Sequence, residues 1–243
     1  MLIPISDDKT GRGTTPIVNY TLIAINVIVF ILELSQGDQF IGGYSVVPYE
    51  ITHGMNLLVP TREAGGIILY PGPTPIYLTL LTSMFMHAGF LHIAGNMLFL
   101  WIFGDNVEDN FGHVKYLVFY LLCGFAASFA QIAMDPDSKI PSLGASGAIA
   151  GVLGSYMLMF PRNRVRVIVP IIFIWTVVRL PAILVIGFWI IIQLFSQVAS
   201  ITSNTQSQGG VAYMAHIGGF FAGLILTLFF RTREDRDPLQ YAR

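Results

Sequence analysis

The chain has 243 residues, of which 54% are hydrophobic and only 11% are charged, and its formal net charge is −1. A soluble domain usually carries about 25% charged residues, so this composition excludes a soluble enzyme and a disordered chain and indicates a protein embedded in lipid. The near-zero net charge provides no basic face for nucleic acid. The single cysteine, Cys123, excludes a disulfide framework and a cysteine-based zinc site.

The charged residues are clustered and leave long uncharged stretches between them. Twenty uncharged residues separate Arg12 from Glu33, and 51 separate Arg179 from Arg231. Because a bilayer core requires about 20 apolar residues per helix, stretches of this length can hold membrane spans. Six spans are predicted in chain order, at about residues 17–34, 80–103, 116–134, 146–160, 181–198 and 212–230.

The segments between these spans differ in character. Residues 35–79 are interrupted repeatedly by Gly and Pro and contain several tyrosines, which predicts a long ordered first loop lying partly in the membrane interface. The 12 uncharged residues 167–178 are too few to cross, so we expect them to lie along the membrane surface or dip into it. Residues 199–210 have the composition of a polar linker.

Charge predicts the orientation of the chain. Six spans put both termini on one side, and with that side inside, ten basic residues lie on inner segments and only Arg62 and Lys139 lie in outer loops. The positive-inside rule therefore predicts cytoplasmic termini. The predicted division is a cytoplasmic N-terminal segment (1–16), a membrane domain (17–230) and a charged cytoplasmic tail (231–243), in a multi-pass protein of a bacterial inner membrane.

The distribution of acidic and metal-binding residues excludes several chemistries. All 14 acidic residues are predicted in tails, loops or span ends, which argues against an aspartyl intramembrane protease and against proton transport through buried acids. The zinc motif HExxH is absent. On a helix, His87 and His92 would lie about 140° apart, a poor match for a shared metal. No metal and no cofactor are predicted.

A serine at the start of the fourth span is the candidate nucleophile. In Gly144-Ala145-Ser146-Gly147, small residues let a substrate backbone approach, and the helix N-terminus offers free N–H groups to a developing oxyanion. In the alternative interpretation, Ser146 is an N-cap residue and Gly147 serves helix packing.

The sixth span provides a candidate base. His216 lies near its start and is followed by Gly219 and Gly223 at the spacing of a helix-packing motif. Both spans run from outside to inside, so close packing could bring His216 within hydrogen-bond distance of Ser146, where it would accept the serine proton. Alternatively, His216 is a structural histidine bonded to a neighbouring hydroxyl.

The second span adds a polar pair, His92 and Asn96, four residues apart and therefore on one helix face. Their N–H groups are of the type that stabilises an oxyanion, although the pair could instead link neighbouring helices. Without a buried acid, the predicted arrangement is a Ser-His dyad, and no residue in the sequence is an obvious partner to orient the His216 ring.

These motifs resemble those of the rhomboid family of intramembrane serine proteases. The resemblance covers residues 17–230 and rests on HxxxN (His92, Asn96), GxSG (Gly144, Ser146, Gly147) and AHxxGxxxG (Ala215, His216, Gly219, Gly223). The acidic segment 104–109 after the second span is similar to the family's inner loop. The fold class implied is an all-α, six-transmembrane-helix rhomboid-like bundle.

The resemblance implies that Ser146 attacks the scissile carbonyl, that His216 acts as base and then acid, and that His92, Asn96 and the Ser146 backbone N–H hold the oxyanion. The implied partners are the lipid bilayer and single-span membrane proteins cut near the outer end of a helix. The sequence departs from some members at Ala150, where an aromatic residue can stack on the catalytic histidine. The substrate identity and the oligomeric state cannot be read from the sequence.

Two other functions remain open at this stage. One is a catalytically inactive relative that binds or escorts membrane proteins, against which the intact pair Ser146 and His216 argues. The other is a small-molecule transporter or channel, for which Ser146→Ala would leave function largely intact.

Overall fold

The computed structural model describes residues 3–8, 13–56, 61–62, 68–171, 174–202 and 211–231. Its helices are α1 (Ile17–Gln36), α2 (Asp38–Tyr44), α3 (Pro48–His53), α4 (Thr79–Thr82), α5 (Phe90–Phe111), α6 (His113–Met134), α7 (Ser146–Met159), α8 (Ala182–Thr202) and α9 (Tyr213–Phe230). Its strands are β1 (Ile3–Asp7), β2 (Thr61–Arg62), β3 (Ile68–Leu69), β4 (Arg164–Ile171) and β5 (Ile174–Pro181). The fold is mostly helical, and the expectation of an all-α protein is wrong at these strands.

Among the described residues, four helices (α1, α6, α8 and α9) are long and apolar enough to cross a bilayer. A fifth span results if Ile76–Phe85 and α5, which are bent by 77° relative to each other, count together. Helix α7 is apolar but has only 14 residues, about 21 Å in length. Ten consecutive residues of α7, from Gly147 to Tyr156, are buried, so it lies at the centre of the helical assembly. The count of six spans remains a prediction.

The second predicted span, 80–103, is wrong in its boundaries. The chain forms α4 and two short 3-10 turns up to Phe85, changes direction, and starts α5 only at Phe90. The bend has a tertiary cause, because the buried carboxylate of Glu33 in α1 accepts the backbone N–H of His87 at 2.9 Å. That N–H is therefore not available to a continuous helix, and His87 precedes α5, so the helical angle predicted between His87 and His92 does not apply.

The acidic segment 104–109, predicted as a loop, belongs to the last two turns of α5. The buried carboxylate of Glu108 is hydrogen-bonded at the start of α1, where it accepts the backbone N–H groups of Val18 and Asn19 at 2.9 and 2.6 Å. These N–H groups have no intrahelical acceptor, so a carboxylate there satisfies them and interacts favourably with the helix dipole. Asp109 similarly accepts the backbone N–H and the hydroxyl of Thr14.

Residues 167–171 and 174–178, expected to lie along the membrane surface or dip into it, belong to the strands β4 and β5. Strand β4 pairs with β5 on one side and with β1 on the other, both antiparallel. Buried and exposed side chains alternate along β4, as is typical of a strand with one face on the core. Val165 and Val167 are fully buried, while Arg164 and Arg166 are exposed. The hairpin follows the C-terminus of α7, so the sheet lies at the end of the helices that is remote from Ser146.

The predicted long loop 35–79 contains α2 and α3, and a bridge between Val46 and Ser142 ties it to the segment before α7. Its residues 57–60 and 63–67 lie outside the described part of the chain. The linker predicted at 199–210 begins later than expected, because α8 extends to Thr202. Residues 203–210 and the tail after Arg231 also lie outside the described residues.

Candidate functional site

Ser146 is the first residue of α7 and is half-buried. Gly144, two residues before Ser146, has a φ of +134°, a backbone conformation that residues with a side chain rarely adopt. Its N–H donates to the carbonyl of Ser83 at 2.8 Å. A Cβ at Gly144 would lie 3.0 Å from the His92 ring and 3.5 Å from Ser146 Oγ. The glycine therefore lets the turn pass close to both side chains.

His216 is brought to Ser146 by the first turn of α9. The distance between His216 Nε2 and Ser146 Oγ is 2.8 Å, that of a hydrogen bond. Residues 70 positions apart in the sequence thus meet as the predicted nucleophile–base pair requires.

Glycines set the close approach of α7 and α9. A Cβ at Gly219 would lie 2.0 Å from the carbonyl oxygen of Gly147, and one at Gly223 would lie 2.1 Å from that of Gly151. The two pairs advance by four residues in each helix, so α7 and α9 run parallel with their backbones in contact. Because both helices start at the same end, the residues at their N-termini, Ser146 and His216, lie side by side.

His92 and Asn96 are in the first two turns of α5, on the same cavity as Ser146. His92 Nδ1 accepts the backbone N–H of Ala88 at 3.3 Å, which leaves the proton on Nε2, the atom that faces the Gly144 turn. The Nδ2 group of Asn96 is buried and has no hydrogen-bond partner among the described residues. The structure therefore offers two side-chain donors on the cavity that Ser146 also lines, and the amide of Asn96 is unpaired among the described residues.

A cavity of about 930 Å³ lies between α5 and α8 and includes Ser146 and His216. Polar residues in its wall include Gln131, Ser142, Ser196, Gln197 and Ser200. A second, much smaller cavity of about 30 Å³ also borders Ser146 and is lined in part by Ser83, Ser128 and Gln131. This volume is sufficient for a water molecule, and these polar residues offer it hydrogen-bond partners.

Sequence reasoning missed two residues of α8 that contact His216. The Nδ1 atom of His216 lies 2.8 Å from Gln193 Oε1, and the ring of Trp189 lies 5.7 Å from the His216 ring, centroid to centroid. The two residues are four apart and share a face of α8. The signal that could have found Gln193 is an amide side chain within a predominantly apolar span, at a depth similar to that of His216.

In the described part of the chain, no group of three or more His, Cys, Asp or Glu side chains is arranged to hold a metal ion. The His87 and His92 rings do lie 5.1 Å apart, centroid to centroid, in an edge-on contact.

Comparisons with known proteins agree with this architecture. The model of the Rhomboid domain family matches residues 75–233, more than half of the chain. Rhomboid protease GluP of Bacillus subtilis is 32% identical over 214 residues, which cover 88% of this chain and 35% of that protein. RHOMBOID-like protein 5 of Arabidopsis thaliana is 29% identical over 147 residues, covering 60% of this chain and 42% of the relative.

Rhomboid protein 1, mitochondrial, of Saccharomyces cerevisiae is 29% identical over 156 residues, covering 61% of this chain and 40% of that protein. The matched regions thus cover less than half the length of each of these three relatives. The family match and the long apolar helices together lead to one conclusion. This chain is an integral membrane protein and belongs to the rhomboid family.

Proposed function

We propose that the chain is an intramembrane serine endopeptidase that cleaves peptide bonds in or near transmembrane helices of membrane-protein substrates. The observation that carries this proposal is the 2.8 Å contact between Ser146 Oγ and His216 Nε2 on the wall of a cavity that is lined in part by polar residues and lies among apolar helices. Polar groups are costly in a membrane protein interior, so a serine, a histidine and an unpaired amide around one cavity favour a catalytic role.

In the first half of the reaction, Ser146 Oγ attacks the scissile carbonyl carbon while its proton passes to His216 Nε2. The carbonyl oxygen becomes an oxyanion, which His92 Nε2–H, Asn96 Nδ2–H and the Ser146 backbone N–H stabilise by hydrogen bonds. The tetrahedral intermediate then collapses as His216 returns the proton to the leaving nitrogen, which breaks the C–N bond and leaves an acyl group on Ser146.

The second half hydrolyses the acyl-enzyme. His216 takes a proton from a water molecule, the hydroxide attacks the ester carbonyl, and the proton is returned to Ser146 Oγ. This step needs water below the level of the lipid headgroups. The large cavity and the small cavity, both of which Ser146 and other polar residues line in part, provide space for this water.

The test is labelling of the detergent-purified protein with a fluorophosphonate probe, which reacts with activated serines and requires no knowledge of the substrate. Wild type is expected to be labelled, and both Ser146→Ala and His216→Ala are expected to lose labelling. Ser155→Ala is the matched control, because Ser155 is fully buried in the same helix and its hydroxyl has no hydrogen-bond partner among the described residues.

Labelling that persists in Ser146→Ala would place the reactive group elsewhere and refute the assignment. Absence of labelling in folded wild type would favour the alternative, a catalytically inactive rhomboid-like protein that binds or escorts membrane proteins.

The proposal extends to the placement of the protein in its membrane. The active-site end of α7 and α9 faces outward and the β1–β4–β5 sheet faces the cytoplasm, in keeping with the basic residues of β4 and the positive-inside rule. Both termini are then cytoplasmic, and the location proposed is a bacterial inner membrane. Substrates are cut near the outer ends of their helices, where backbone can unwind.

A further inference from the structure

We propose that Gln193 is a positioning residue for His216, so that a neutral amide on α8 takes the place of the acid that orients the base in a catalytic triad. The inference rests on the proposed function and adds to it a residue that holds the base in its reactive form. Gln193 Oε1 lies 2.8 Å from His216 Nδ1, while Nε2 of the same ring faces Ser146 Oγ.

The bond determines which ring nitrogen carries the proton. Neutral imidazole has one N–H donor and one acceptor nitrogen, and a carbonyl-type oxygen beside Nδ1 accepts only from the form protonated at Nδ1. In that form Nε2 has a free lone pair, which is directed at the Ser146 hydroxyl. The opposite form would present an N–H to Ser146 and could not accept its proton.

The bond also fixes the plane of the ring. Gln193 is only 8% exposed, so water competes weakly for its amide. No other described residue provides His216 Nδ1 with a hydrogen-bond acceptor. Trp189, one helical turn before Gln193, packs at 36° to the histidine ring and limits its rotation from the same side.

Helix α7 provides no comparable ring contact. The residue one turn after Ser146 is Ala150, fully buried, and its methyl group cannot stack on an imidazole. The orientation of His216 therefore depends on α8, the helix that forms the cavity wall opposite α5. The bond to His216 compensates for the burial of the Gln193 amide in a predominantly apolar helix.

The test compares the fluorophosphonate reaction of wild type with that of Gln193→Met and Gln193→Glu. Methionine keeps the length and unbranched shape of glutamine but has only a weak acceptor, whereas glutamate keeps a side-chain oxygen at the same distance. Loss of one hydrogen bond is expected to lower kinact about three- to tenfold in Gln193→Met, with KI changed less than about twofold. Gln193→Glu is expected to recover at least half of the wild-type kinact.

Thr227→Val is the matched control for a lost buried hydrogen bond. Thr227 is fully buried in α9, about three turns from His216, and its hydroxyl donates to the Gly223 carbonyl. Its kinact is expected to stay within about twofold of wild type. The thermal midpoint of each variant is measured in the same detergent, and Gln193→Leu replaces Gln193→Met if the latter does not fold.

The outcomes separate this inference from the proposed function. Unlabelled wild type would refute both. Labelled wild type with an unchanged kinact in folded Gln193→Met, or an equal decrease in Gln193→Met and Thr227→Val, would refute the role of Gln193 alone. A decrease confined to Gln193→Met and recovered in Gln193→Glu supports it.

Discussion

Replacing Gly219 by alanine tests whether the α7–α9 contact sets the active-site distance. The added Cβ would lie 2.0 Å from the Gly147 carbonyl oxygen, and neither partner is a flexible side chain. A Cβ essentially never lies within 3.0 Å of a heavy atom to which it is not covalently connected. The two backbones must therefore separate by about 1 Å. Since Gly219 is one turn from His216, the distance to Ser146 Oγ would increase from 2.8 Å to about 3.8 Å, beyond a hydrogen bond.

A misplacement of this size in a catalytic pair costs about 100-fold in rate, and overpacking costs about 1–3 kcal/mol of stability. The assay is the rate of fluorophosphonate labelling together with the thermal midpoint in detergent. Gly223→Ala introduces a similar clash, 2.1 Å from the Gly151 carbonyl, one turn farther from His216, so its labelling is expected to decrease less for a similar loss of stability.

Gly187→Ala in α8 is the control without a clash, because a Cβ there meets no atom within 4 Å. It is expected to label like wild type and to be as stable or slightly more stable. Folded Gly219→Ala that labels at the wild-type rate would refute the reasoning that glycine packing sets the Ser146–His216 distance.

Three further predictions concern buried polar groups. Asn96→Ala removes an oxyanion donor and is expected to lower kcat about 100-fold or more with little change in KM, measured on a transmembrane reporter peptide. Glu33→Ala leaves the buried His87 N–H without its acceptor and is expected to cost about 1–3 kcal/mol, whereas Glu33→Gln retains a carbonyl acceptor and should cost less in thermal unfolding. Glu108→Ala removes the acceptor at the start of α1 and is expected to cost about 1–2 kcal/mol while labelling of Ser146 persists. An unchanged kcat in Asn96→Ala would contradict the role inferred for Asn96. An unchanged free energy of unfolding in Glu33→Ala or Glu108→Ala would contradict the role inferred for that carboxylate.

Family membership was predictable from the sequence because it depends on local patterns. Long uncharged stretches predict apolar helices whatever the tertiary fold, and α7 and α9 start within one residue of the predicted positions. The motifs around Ser146 and His216 predicted the family, which the match to the Rhomboid domain confirms. The catalytic roles of these residues remain predictions.

The bend before α5 was not predictable, because composition alone does not reveal that the carboxylate of Glu33 accepts the backbone N–H of His87. The helical state of the acidic segment 104–109 depends in the same way on N–H groups of α1. In both places a contact between residues far apart in the chain determines the local backbone.

The sequence by itself determined that this protein is made of apolar helices, which residues carry polar groups into them, and which family they resemble, because hydrophobic run length and motif spacing are properties of the chain alone. The tertiary structure decided the 2.8 Å distance between Ser146 and His216, the meeting of His216 with Gln193, and the sheet formed by β1, β4 and β5. These features join segments from different parts of the chain, and their geometry depends on helix packing and strand pairing that no single segment encodes.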